Sequence, residues 1–348
     1  MALELIPRDL VYFMLMNVVV LGYQAESDFL VTVQGPWKKF KDRLIDSNLL
    51  LVDPAHEKNF HVLIANCHSE KFIKLAESLS IPKSRRVLII WEPSVVDRKI
   101  HTKKVVGNYG HVYTPSIEWA KKTNAISFKW PQESISGEDI WINWESRKKR
   151  IIIIQGNKFS ACKGELYSFR RKVIGKVNSI DLYGIDWNRG FVFDMNRWLS
   201  SFRKYRLGEI SFKSLYYVGK NFNNYFGSVD SKLEVLKNYK ISIVVENTPD
   251  YISEKLFDSI RSGCVTVYIG PKLTDYGISK EVAFQVNPNF KELNQLVETL
   301  LAKSDKDLYE IAVAQRAALK RVARQWEDFE VYDNLAKKIA ADLQIVSS

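Results

Sequence analysis

Between Ile241 and Tyr276 the chain reads ISIVVENTPDYISEKLFDSIRSGCVTVYIGPKLTDY, and its polar residues are spaced to hold an anion. Ile241–Val245, apolar except for Ser242, read as a buried strand. Glu246 and Asn247 come next, and Thr248-Pro249 read as the N-cap and first position of a helix near 250–262. Leu256, Phe257 and Ile260 form the apolar stripe of that helix, Gly263 falls where a left-handed residue would end it, and Val265–Ile269 read as the next strand. In such a strand–helix–strand unit, the strand's carboxyl end and the helix's amino end open on one crevice. Glu246, Asn247, Tyr251, Glu254 and Lys255 gather at that edge. Free helix N–H groups and the Lys255 ammonium together favour a diphosphate. The plain alternative makes Glu246, Glu254 and Lys255 solvated residues of a helix start.

The elements around this segment obey the same grammar. Phe60–Ala65, a helix from Glu70 to Leu79, and Arg86–Trp91 alternate apolar runs with amphipathic stretches, which favours parallel strands in an open α/β layer over a β-sandwich. From Trp130 to Arg150 the rhythm breaks, with Gly137, Trp141, Trp144 and the basic run Arg147–Arg150, and an interdomain linker is placed there. A second series begins at Ile151–Ile154, continues through a helix around Glu165–Val177, and reaches a strand at Ile180–Tyr183. The polar, aromatic-rich stretch from Asp186 to Tyr225 reads as loop-heavy. A helix at Ser231–Lys237 comes after it. From Lys306 to Leu343, apolar residues at helical spacing (Leu308, Ile311, Ala312, Leu319, Val322), interrupted by Gln315, read as one or two long helices. The chain therefore divides into α/β domains at 1–145 and 146–305, with helices at 306–348 that fold back on the first domain.

The run E-N-x-x-x-Y-I-x-E-K-L (Glu246–Leu256), together with G-C-V-T-V-Y-I-G-P-x-x-x-x-Y (Gly263–Tyr276), resembles the signature of the α1,3/4-fucosyltransferases, glycosyltransferase family 10. Similarity extends to Tyr239-Lys240 and, more loosely, to Asn157, Gly164–Ile174 and Asp181-Leu182-Tyr183-Gly184. The resemblance implies a glycosyltransferase-B architecture, two Rossmann-like α/β domains facing a central cleft, with the acceptor domain first and the GDP-fucose domain second. It places Glu254 and Tyr251 near the fucose and nucleotide, Lys255 on the diphosphate, and Asn247 and Glu246 in the donor pocket. It also implies an arginine on the diphosphate, either Arg170 or Arg171; the alternative for each is a solvated helix face. Glu92-Pro93-Ser94, at the end of strand Val87–Trp91, is similar to the family element whose glutamate is the general base, and a carboxylate at a strand end suits that task. One base and direct displacement imply inversion, with Glu254 able to steady positive charge on the sugar ring.

Composition bounds the rest. Fifty-one Lys and Arg against 40 Asp and Glu leave a net charge of +11, and hydrophobic residues make up 46% of the 348, enough for two cores. Disordered, collagenous and disulfide-scaffold classes are excluded. Cys67, Cys162 and Cys264 are odd in number and widely spaced, which fits a reducing compartment. His56, His61, His68, His101 and His111 show no metal-ligand pairing. Asp305 and Asp307 head a helix and read as capping charge, so no metal and no essential cofactor is expected. The apolar stretch Leu10–Leu21 is shorter than the ~20 residues of a membrane span, and Glu4 stands where a signal peptide would be basic. A cytoplasmic protein is expected. Its basic runs at 38–43, 83–86 and 147–150 serve solubility or peripheral contact with an anionic inner membrane; scattered aromatics without a motif argue against nucleic acid. The expected partners are a GDP-sugar and a glycan acceptor bearing GlcNAc, in a bacterial surface polysaccharide or a Lewis-type glycan. The rival readings are a transferase for another GDP-sugar and a catalytically silent sugar-nucleotide or glycan-binding module.

Overall fold

The computed structural model describes residues 16–21, 36–51, 60–135, 139–177 and 179–344. The chain divides into two compact units, one of residues 1–131 with 325–348, the other of residues 132–324. The expected α/β class is borne out in both. His56, Gly137 and the charged residues at positions 4, 8 and 9 lie outside the described residues, as does the 10–15 part of the apolar N-terminal stretch.

The first unit is built on a parallel sheet of β1 (Met16–Leu21), β2 (Leu49–Leu51), β3 (Val62–Ala65), β4 (Arg86–Ile89), β5 (His111–Thr114) and β6 (Ile126–Ser127), in the order β2-β1-β3-β4-β5-β6. β3 is buried along its whole length, which is why it reads as an unbroken apolar run. The helix Glu70–Ser78 starts at Ser69, whose side chain accepts from the Lys71 N–H, and buries Phe72, Ile73 and Ala76. Tyr332, Leu335, Ala336 and Ile339 of the helix Asp328–Asp342 join Phe40 and Leu44 of the helix Pro36–Asp46 in one core, and Tyr113 Oη donates to Asp342 at 2.6 Å.

The second unit holds β7 (Lys148–Ile154), β8 (Ile180–Tyr183), β9 (Tyr239–Val245), β10 (Val265–Ile269) and β11 (Phe284–Gln285), parallel and ordered β11-β10-β9-β7-β8. Alternate residues Ile151, Ile153, Ile241, Ile243, Val265 and Val267 face a core closed by Val173, Leu293 and Val297; Ile152, between two of them, faces a second one with Leu236 and Cys264. This period of two is the pleat written into the sequence. Residues placed in a linker are structural here: Trp144 is buried and its Nε1 donates to the Gly263 carbonyl at 2.9 Å, while Arg147 donates to the Ser262 carbonyl at 2.6 Å. Both satisfy carbonyls left open by the end of a helix.

Two further departures have local causes. The stretch read as loop-heavy contains a helix, Gly190–Phe202, with Asp194, Trp198 and Ser201 buried. Gln315, which interrupts the apolar spacing of the helix Asp305–Ala323, accepts from Thr266 N–H (2.7 Å) and donates to Thr266 O (3.1 Å). It pairs with β10 as a neighbouring strand would. Asp307 closes a capping box with Ser304, as expected, while Asp305 pairs with buried Lys240 at 2.7 Å.

Each sheet places its second strand outside its first and its third on the other side. In this 2-1-3 order, successive crossovers leave in opposite directions at one point, and ligands bind at the carboxyl ends of the strands flanking it. In the second unit that point lies between β7 and β9, where Gln155 Nε2 donates to the Val245 carbonyl at 2.9 Å.

Candidate active site

The turn after β9 lines the switch point of the second unit. Glu246 is fully buried, and its N–H donates to the Ile269 carbonyl at 2.8 Å, prolonging the sheet by one residue. Its carboxylate accepts from Ser253 N–H (3.0 Å), Ser253 Oγ (2.7 Å) and Lys255 Nζ (3.1 Å), and Lys255 Nζ also donates to Ser253 Oγ at 2.8 Å. A buried carboxylate is tolerated only with such company. The pull on Ser253 also corrects the expected helix start. Thr248-Pro249 is not the cap; Ser253 is the N-cap, and the helix runs Glu254–Arg261. The expected end is found, with Gly263 at φ +75°. Ser253 was invisible to motif reasoning, although a serine directly before Glu-Lys at a helix start was the available signal.

Asn247 is the hub on the other side of the turn. Its Oδ1 accepts from Arg170 Nη2 at 3.2 Å, its Nδ2 reaches Tyr251 Oη at 3.5 Å, and its backbone carbonyl accepts from Leu166 N–H at 3.0 Å. Arg170 is not on a solvated face. It is buried, and the same Nη2 donates to the carbonyls of Val245 (2.9 Å) and Glu246 (3.3 Å). Arg171, also buried, turns elsewhere: it donates to Asn157 Oδ1 at 2.6 Å and lies 3.4 Å over the Phe159 ring. Burial lowers Arg170 to about 10 and Arg171 to about 9, the latter helped by its charged neighbour Arg170. Both remain cations at neutral pH. The helix Tyr167–Lys176 thus presents two guanidinium groups, of which Arg170 belongs to the β9 turn.

Glu254 and Lys255 head the helix on its outer side. Burial pushes the Glu254 carboxyl up, but the charges of Lys255 and Lys232 prevail and hold it at about 2; Lys232 is 3.1 Å away. Behind the turn, a Cβ on Gly270 would lie 2.4 Å from Tyr268 Oη and 2.8 Å from Glu246 Cγ. Burial, and then the nearby Glu246 charge, hold the Tyr268 phenol protonated, well above its ordinary range. The site therefore brings Glu246, Asn247, Tyr251, Glu254, Lys255 and Arg170 to one turn, with Arg171 one layer away.

In the first unit, Glu92 lies just past β4 and is half-buried, and its backbone carbonyl accepts from His101 Nε2–H at 2.9 Å. Burial holds the His101 imidazole below its ordinary range. Among the described residues, no group of three or more His, Cys, Asp or Glu is placed to hold a metal ion, and no helix is long and apolar enough to cross a membrane.

Residues 211–337 match the model of the glycosyltransferase family 10 (fucosyltransferase) C-terminal domain. The matched stretch resembles that C-terminal domain and takes in β9, β10 and β11, while β7, β8 and the first sheet lie outside it. A putative fucosyltransferase-like protein of Arabidopsis thaliana is 51% identical over 47 residues, a match covering 13% of this chain and 9% of that protein. The chain also superposes on the Anabaena protein HepE in complex with UDP-glucose, with a TM-score of 0.54, 9% identity, and 94% and 100% of the two chains covered. An α1,3-fucosyltransferase gives 0.50 at 12% identity, covering 94% and 89%. An α-glucosyltransferase in complex with UDP and DNA gives 0.55 at 12%, covering 93% and 100%. At these identities the likeness is one of fold, and that fold is the glycosyltransferase-B type.

Proposed function

We propose that the chain is an inverting fucosyltransferase that moves L-fucose from GDP-fucose to a glycan hydroxyl, forming an α1,3 or α1,4 linkage to GlcNAc. The observation that carries this reading is the pair of cations, Lys255 and Arg170, around buried Glu246 at the switch point between β7 and β9, with Glu246 and Lys255 inside the stretch that resembles the family 10 C-terminal domain.

The acceptor oxygen attacks the anomeric carbon while the bond from that carbon to the diphosphate oxygen breaks. The acceptor proton passes to the Glu92 carboxylate, and GDP leaves with the bonding electrons. Lys255 and Arg170 meet the charge that develops on the diphosphate, which is where pre-placed charge lowers a barrier most. Arg171, committed to Asn157, adds potential from behind. Glu254, kept ionised by Lys255 and Lys232, faces the positive charge that grows on the sugar ring. Asn247 and Tyr251 line the pocket. Glu246 is a positioning residue: it has no exposed surface, and it fixes Lys255. Because these cations can balance the leaving group, turnover without an essential divalent ion is expected, and loss of all turnover in chelator would contradict it.

The Anabaena neighbour holds UDP-glucose, so the donor is tested directly. Thermal shift against a panel of nucleotide sugars should single out GDP-fucose, followed by GDP release that requires N-acetyllactosamine or a related glycan. A shift with UDP-glucose and none with GDP-fucose would overturn the donor. Binding without GDP release for any glycan would favour a silent module.

A further inference from the structure

A cavity of 480 Å³ opens in the second unit, lined by Arg150, Asp181, Asn221, Asn223, Phe222 and Phe226 among others. It lies at the amino ends of β7 and β8, whereas the candidate active site lies at the carboxyl ends, roughly 13 Å of strand away. Its inner wall is formed by Ile174 and Val177, at the end of the helix Tyr167–Lys176.

The polar groups come in balanced kinds. Arg150 donates through Nε and Nη2 to Asp181 Oδ1 at 2.9 and 2.6 Å, and Asp181 Oδ2 accepts from Tyr239 Oη at 2.9 Å. The Arg150 charge is thereby neutralised while its side chain stays 45% exposed. Asn221 and Asn223 are exposed, and neither side chain makes a hydrogen bond to a described residue. Each amide offers two donors and one acceptor. Asn224 is committed differently: its Nδ2 donates to the carbonyls of Ile180 (3.0 Å) and Ile174 (3.4 Å), which fixes the loop bearing the other two. Phe226 is stacked on Tyr183 at 5.5 Å and remains 59% exposed, an apolar ring face at the rim.

An anion would call for uncompensated cations, and a lipid chain for a wholly apolar wall. Donors and acceptors side by side, with no net charge and an open aromatic face, match groups that donate and accept at once. We propose that this cavity binds a neutral, hydroxyl-rich ligand, a glycan segment of one or two sugar units, at a site separate from the proposed donor pocket. A polymeric acceptor held there would raise its local concentration near the reacting end. That last consequence rests on the transferase reading; the binding site does not.

The test uses the full chain, with lactose as the neutral probe and inorganic phosphate as the anion. Lactose should shift the backbone amide signals of residues 221–226 in ¹⁵N spectra, with and without saturating GDP. The double variant Asn221→Ala/Asn223→Ala should weaken that response about tenfold, as expected for losing direct hydrogen bonds, and Phe226→Ala should weaken it less. Both variants change exposed side chains, and an unaltered spectrum elsewhere would verify the fold. The proposal is overturned if these signals do not respond to lactose, if phosphate moves them instead, or if the double variant responds like the parent. Lactose shifts confined to other residues would sink this site and leave the transferase reading intact. Shifts at 221–226 in a protein that never releases GDP would do the reverse.

Discussion

The carboxyl edges of the two sheets share a strand order and differ in chemistry. In the second unit, the turn after β9 buries Glu246 and Arg170 and ties Lys255 to the carboxylate. In the first, the loops after β3 and β4 carry Asn66, His68, Glu92 and His101, with no comparable cluster of buried ions among the described residues. One strand order thus carries two chemically different edges, one built on buried, ion-paired charge and the other without it. The difference lies in loops, where fold and function part.

The sharpest way to break that contrast is Glu246→Ala. It leaves the Ser253 N–H without its acceptor and Lys255 Nζ without its carboxylate, with only Ser253 Oγ remaining to accept from it, and a loss of about 3–5 kcal/mol of stability is expected, read by chemical denaturation. A loss within about 0.5 kcal/mol, ordinary for a surface change, would mean the cluster is decorative. Glu92→Ala should behave oppositely: little change in unfolding, but transfer slower by about 10²–10⁴, with steady-state rates as the measure. Normal transfer would remove Glu92 from the mechanism. Gly270→Ala should cost about 1–3 kcal/mol by overpacking against Tyr268 and Glu246, and melting of the variant checks it.

Acid separates the two edges by smaller amounts. His101, held low by burial, takes up its proton at lower pH in the folded chain than in the unfolded chain, whose imidazole binds one below about 6.5. Its stabilisation is therefore full above that value and is lost as pH falls through it. Glu254, held at about 2 against an unfolded value of about 4.5, contributes stability that is present above 4.5 and is lost between there and 2. Its side chain is 39% exposed, so screening keeps the effect small. Urea unfolding across the acid range should show the His101 step first, and His101→Gln should remove that step alone.

Legibility in the residues alone tracks the physics of each signal. β3, β7, β9 and β10 are buried on both faces and appear as apolar runs; Gly263 announces a left-handed stop. The helix Gly190–Phe202 was hidden because it opens with Gly190, Phe191, Val192 and Phe193, poor helix formers, and because Val192 is 72% exposed, which blurs the apolar stripe. The cap at Ser253 was hidden for another reason: Thr248-Pro249 is a genuine local signal, overridden by a carboxylate seven residues before Ser253 in sequence. Likewise, no periodicity distinguishes a buried arginine from a solvated one. Arg170 and Arg171 owe their places to carbonyl and amide oxygens at the end of β9 and in the loops that leave β7 and β9, a tertiary fact.

The proposed function requires that the turn after β9 bind a nucleotide diphosphate and that Glu92 serve the other substrate. Calorimetric titration with GDP of the parent, Lys255→Ala and Glu92→Ala tests it most directly. The expected result is measurable GDP binding that weakens about tenfold or more in Lys255→Ala and is unchanged in Glu92→Ala. Equal GDP affinity in the parent and Lys255→Ala, or a loss in Glu92→Ala as large as that in Lys255→Ala, would contradict it.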